Sequence, residues 1–146
     1  MAIATGFFVG YLPFAPGTFG TALAIPLHML FITFSLPFYA LAIGCTIIVG
    51  ILAAGSAEKI LDRKDPGVVV IDEVAGMLIT LIGAPNNPYV WLIGFVLFRF
   101  FDILKPFPIG LIDKRLHGGV GIMLDDIMAG IYSLIVLQII IRIWFK

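Results

Sequence analysis

Apolar and polar positions along this chain fall in blocks rather than alternating. Five apolar runs can be marked, at about 18–34, 38–54, 68–83, 89–104 and 121–145. Between them lie Ser35-Leu36-Pro37, a charged stretch at 58–67, Ala84-Pro85-Asn86-Asn87-Pro88, and a second charged stretch after 104. Pro, Gly and Asn give these breaks their turn chemistry. Long runs without a period of two predict helices, not the strands of a membrane barrel. A hydrocarbon layer of ~30 Å takes about 20 helical residues to cross. The third and fourth runs are short for that, so they read as crossings with polar ends or as a hairpin that goes part way.

Composition decides what solvent these helices meet. The chain has 146 residues, 61% hydrophobic and 12% charged, with a mean hydropathy of +1.13. Soluble domains carry about 25% charged residues, and a chain this small cannot enclose so much apolar surface in one core. The expected fold is therefore one all-α domain over 1–146, an integral membrane helical bundle of four to five hydrophobic segments. The N-terminus has no positive region ahead of an apolar core, so it does not read as a secretory signal. Cys45, the single cysteine, lies within an apolar run and reads as packing.

The charges are unevenly placed. Residues 1–57 have none, and sixteen of the eighteen lie between Glu58 and Asp126. Lys59, Arg63 and Lys64 follow the second run, and Lys105, Lys114 and Arg115 follow the fourth. The alternate connections, around Ser35 and Asn86, are uncharged. The positive-inside rule then turns the charged connections, and a polar site among them, toward the cytoplasm. Arg142 and Lys146 fall on the far side. A net charge of zero gives no reason to expect nucleic acid.

Ionisable groups at the ends of membrane segments are costly and mark function. In this topology Asp72 and Glu73 open the third segment. Arg99, Asp102 and Lys105 close the fourth, three residues apart, and Asp125 and Asp126 lie near the start of the fifth. The bland alternative is structural ion pairing, Asp102 with Arg99 or Lys105 and Asp125 with Lys114. Five carboxylates outnumber the nearby cations, however, and such a cluster needs protons or metal to compensate it. Carboxylates without cysteine favour a hard cation, Mg²⁺ before Zn²⁺. Asp72, Glu73, Asp102, Asp125 and Asp126 are the candidate metal ligands.

Arg99, Lys105 and Arg115 would then face a phosphate rather than the carboxylates. His117, before Gly118-Gly119, is of a residue type suited to protonating a leaving alkoxide; its alternative is a loop residue without a role. Thr18, with the backbone N–H groups around Gly17 and Gly20, is a candidate phosphate contact at a helix start. Asp65, before Pro66-Gly67, reads as a helix cap or a further ligand. His28, alone in an apolar run, reads as packing or an interhelical hydrogen bond. There is no Cys-based phosphate loop and no DxDx[TV] motif. Metal-activated water attacking a phosphate ester is the simplest chemistry left.

Three blocks carry a resemblance: YLPFAPGTFGT (11–21), DPGVVVIDEVAGM (65–77) and FRFFDILKPFPIGLIDKRLHGGVGIMLDDIMAG (98–130). Together, in this order, they closely resemble the bacterial phosphatidylglycerophosphatase A family, over nearly the whole chain. The resemblance implies a Mg²⁺-dependent phosphomonoesterase of the bacterial cytoplasmic (inner) membrane, converting phosphatidylglycerophosphate to phosphatidylglycerol and phosphate. Carried over by motif, Asp72, Glu73, Asp102, Asp125 and Asp126 are its metal and catalytic acids, and Arg99, Lys105, Arg115 and His117 its basic positions. Two departures are visible: the chain begins almost at the first block, and Ile71 stands where an aromatic is common. The expected partner is an anionic phospholipid substrate; no feature specifies an oligomer.

Two rivals remain. A CDP-alcohol phosphatidyltransferase also clusters aspartates, but its DGxxAR…GxxxDxxxD pattern is absent. A small transporter or ion-coupled carrier would want polar groups at mid-membrane, whereas these gather at one face.

Overall fold

Proline sets where three of the helices begin. α1 (Pro16–Phe31), α2 (Leu36–Leu61) and α4 (Pro88–Leu104) each carry Pro in their first two positions, where the missing N–H costs nothing. Asn87 caps α4, its side chain accepting from the Tyr89 N–H at 2.9 Å. α3 (Ile71–Thr80), α5 (Ile109–Arg115) and α6 (Gly118–Trp144) complete the bundle. The structure is a computed structural model describing residues 1–145; among these there is no strand. Lys146 lies outside the described residues.

The expected all-helical fold is present, with differences in extent. The third run yields only ten helical residues, because the chain at 66–70 is used to join the N-terminus. There the Val69 N–H bonds Pro66 O, and the N–H groups of Val70 and Ile71 both reach Ala4 O, at 2.8 and 3.2 Å. Residues 1–12, a series of turns, thus supply the cap that α3 lacks from any side chain. The connection after α4 contains α5, which the block pattern did not predict.

Four to five crossings were expected, and this number is corrected. Among the described residues, only α2 and α6 are long and apolar enough to cross a bilayer, and in their most apolar windows just 17% and 22% of the residues are buried. A buried core helix would show the reverse, so their outward apolar faces need a non-aqueous neighbour. α1 and α4, at 16 and 17 residues, and α3, at ten, fall short.

α3 is the axis of the bundle. Asp72 and every residue from Val74 to Thr80 are buried, with α1, α2, α4 and α6 packed against it. Small residues allow this closeness. A Cβ on Gly130 of α6 would stand 2.5 Å from Gly76 O of α3. One on Gly119 would overlap Ile51 O of α2. At the far end His28 Nδ1 meets Tyr39 Oη at 2.7 Å, and that hydroxyl donates to Leu78 O at 3.0 Å. His28 is thus an interhelical hydrogen-bonding residue. Gln138 Nε2 donates to Ile82 O at 2.7 Å. These contacts place the starts of α1, α3 and α6, and the ends of α2 and α4, at one end of the bundle.

The Gly76–Gly130 contact predicts a site-specific cost. Gly130→Ala should lower stability in detergent by about 1–3 kcal/mol, the usual cost of overpacking, as measured by equilibrium unfolding. Gly44→Ala, where nothing lies within 4 Å of the new Cβ, should not lower it.

Candidate active site

Asp72 and Glu73 occupy the first turn of α3, where the helix dipole favours negative charge. Asp126, in the third turn of α6, comes against them. One carboxylate oxygen from each of Asp72, Glu73 and Asp126 lies within 4.8 Å of the other two. Asp72 and Asp126 are buried, at 7% and 3% exposure. Asp72 Oδ1 and Glu73 Oε2 are fully enclosed and accept no hydrogen bond from any described residue. Buried carboxylates without donors are strongly disfavoured. The donor set, three acid oxygens with no sulfur or imidazole, suits a hard divalent cation.

These residues line a cavity of about 140 Å³ together with Asp65, Gly67, Val69, Asp102, Lys105 and Asp125. Lys105, which lines it, and Arg99 nearby are already engaged. Arg99 is paired with Asp102, as their spacing of three on one helix allows. Lys105 Nζ lies 2.8 Å from Asp125 Oδ2 and 3.1 Å from Asp113 Oδ1. Lys105 ends α4 in a left-handed conformation (φ 47°), which takes it off the helix and lets its side chain reach α6. Arg99 and Lys105, expected to face a phosphate, are both paired with carboxylates in this structure, as the acid excess favours. Asp125 pairs with Lys105, not Lys114.

Burial alone would lower the Lys105 pKa, but the hydrogen bonds and charges of Asp125 and Asp113 outweigh it and hold the ammonium well above its ordinary value. At Asp65, loss of solvent raises the carboxyl's pKa; Asp113 and Glu58 add to that, and Lys105 and Lys64 oppose it.

The remaining candidates divide. Thr18 lies in the first turn of α1, next to Gly17, whose Cα abuts Glu73 and Arg99. This helix start therefore forms one side of the site. His117 lines a separate small cleft with Glu58, Lys64, Asp65 and Asp113, and does not line the carboxylate cavity. Arg115, exposed at the end of α5, lines neither. Asp113 was missed in the sequence. It reaches Lys105 because α5 packs against α6, and no spacing signals that.

Comparison with known proteins bears on this geometry. The family model described as phosphatidylglycerophosphatase A matches residues 2–141. The chain belongs to the phosphatidylglycerophosphatase A family. It is 40% identical to the phosphatidylglycerophosphatase A of Escherichia coli strain K12 over 143 residues, covering 97% of this chain and 83% of the relative. The protein of the same name from Haemophilus influenzae is 35% identical over 136 residues, covering 92% and 83%. A Bacteroides thetaiotaomicron protein, provisionally named a phosphatidylinositol-3-phosphatase, is 40% identical over 146 residues, covering 94% and 90%. No solved structure matches. The three blocks quoted from the sequence supply the start of α1, the first turns of α3, and the acid and basic residues of α4 to α6.

The Lys105–Asp125 pair yields a stability prediction. Asp125 is 5% exposed, so Lys105→Met leaves a buried charge with no partner and should cost about 1–3 kcal/mol. Adding Asp125→Asn should recover part of the loss, read by the same unfolding measurement.

Proposed function

We propose that the protein is a Mg²⁺-dependent phosphatidylglycerophosphatase of the bacterial inner membrane, hydrolysing the terminal phosphomonoester of its lipid. The observation that carries this reading is the buried trio of Asp72, Glu73 and Asp126 with its undonated oxygens, in a chain of this family. These three carboxylates would hold the cation. Bound there, Mg²⁺ would acidify a water and neutralise charge on the phosphoryl oxygens.

The protein's own groups account for the rest. Arg99, with the first turn of α1 at Thr18, binds and orients the phosphoryl oxygens. Lys105, fixed by Asp113 and Asp125, adds positive charge at the cavity. Asp102 lines the cavity without belonging to the trio or contacting Lys105, and takes the proton from the attacking water. His117 stands outside the cavity, so in this reading the leaving primary alcohol takes its proton from water. α2 and α6 span the bilayer, the apolar faces of α1 and α4 lie against acyl chains, and the charged end faces the cytoplasm, as the basic loops favour.

A carrier would want free polar groups midway along the helices. Midway along α6, Ser133 donates to a carbonyl of its own helix, which speaks for the hydrolase. The Bacteroides relative favours one second reading, in which the lipid is phosphatidylinositol 3-phosphate.

The test is phosphate release by purified protein in detergent, from each lipid, with Mg²⁺ and with EDTA. Release from phosphatidylglycerophosphate should need Mg²⁺, and Asp72→Asn should lower kcat by at least about a hundredfold, the scale of losing a main electrostatic element. Faster release from phosphatidylinositol 3-phosphate would favour the second reading. No release from folded protein would reject both.

A further inference from the structure

The geometry points to Gly17 as a positioning residue: the bare backbone at the start of α1 fixes Glu73 in the carboxylate trio and Arg99 beside it. This inference rests on the metal-site reading given above.

The observation is steric. A Cβ built on Gly17 would collide with Glu73 Oε1 and would stand 3.1 Å from Arg99 Nη1. The wild-type backbone is therefore as close to both groups as a residue can come. The charges around Glu73 act in both directions: Asp126 repels it, Arg99 attracts it although paired with Asp102, and its Oε2 accepts no hydrogen bond. A half-buried glutamate side chain has three rotatable bonds, and like charges would drive it outward. The start of α1 closes that route on the Oε1 side.

The backbone on that side is itself held. Ala15 takes a left-handed conformation (φ 44°) and Pro16 follows it, so the turn into α1 has little freedom. The Thr21 hydroxyl donates to Gly17 O at 2.8 Å. One turn on, a Cβ at Gly20 would come within 2.6 Å of Val70 Cβ. Gly17 and Gly20 thus bring α1 against the two ends of the same short segment, Val70 and Glu73. At Gly17 the neighbouring atoms are a carboxylate and a guanidinium, not apolar packing. The absence of a side chain there serves the site.

A merely structural glycine and a positioning one differ in a double-variant test. Four proteins are compared: wild type, Gly17→Ala, Glu73→Asp and the double variant. Mn²⁺ affinity is read by electron paramagnetic resonance, phosphate release is followed in parallel, and thermal midpoints check folding. Gly17→Ala should weaken Mn²⁺ binding at least about tenfold by displacing Glu73, with the midpoint close to wild type. Glu73→Asp shortens the side chain by one methylene and withdraws it from the new Cβ. In the Gly17→Ala background it should therefore restore part of the binding and release, although alone it weakens both. Such a sign reversal is direct coupling between the two positions.

Gly17→Ala binding Mn²⁺ and turning over as wild type would overturn the inference. So would equal losses from Glu73→Asp in both backgrounds. Wild-type protein that binds no Mn²⁺ would instead overturn the metal reading, and the same four release rates would then decide the placement of Gly17.

Discussion

Mutual repulsion among Asp72, Glu73 and Asp126 is the constraint on which the rest of this structure turns. Three carboxylates whose oxygens lie within 4.8 Å of one another, two of them nearly sealed from solvent, cannot all be ionised without compensation. Each isolated ion would cost several kcal/mol to bury. The protein answers only in part: the α3 dipole helps two of the acids, and the nearest cations, on Arg99 and Lys105, are bound to Asp102, Asp113 and Asp125. What is left is a site with a deficit of positive charge and oxygens that have no donors.

The architecture holds this arrangement in place. α3 is short and buried, and α1 and α6 approach it through glycines, so the carboxylates of two helices meet with little room to relax. All of the site's groups come from one end of the bundle. The outward faces of the long helices remain apolar. The lipid substrate implied by the family suits these apolar faces.

Much of this was legible in the sequence. Asp72, Glu73, Asp102 and Asp126 stood out because charge inside apolar runs is costly, and the structure brings them to one cavity. Asp65 was open between cap and ligand; it lines the cavity. The number of crossings was overcounted because apolar run length includes flanks that do not become helix, as at Val68–Val70, where the backbone bonds the N-terminus. The Lys105–Asp125 pair was hidden because it depends on a left-handed turn that no spacing encodes. Asp113 depended on α5, whose seven residues carry no clear period. His117 and Arg115 were placed by nearness in sequence to the acids, but the α5–α6 turn carries both outside the cavity. Gly17 read only as part of a candidate phosphate contact, since only three dimensions show what a Cβ would strike.

The central claim is that the three acids are mutually destabilising until a cation joins them. Its most direct test is the thermal midpoint of wild type and Asp126→Asn, each with EDTA and with saturating Mg²⁺. Without metal, removing one charge should relieve repulsion, and the variant should be the more stable. With Mg²⁺ the order should reverse, because binding stabilises the folded wild type and the variant has lost a ligand. A variant less stable in both conditions, or a wild type indifferent to Mg²⁺, would contradict the account.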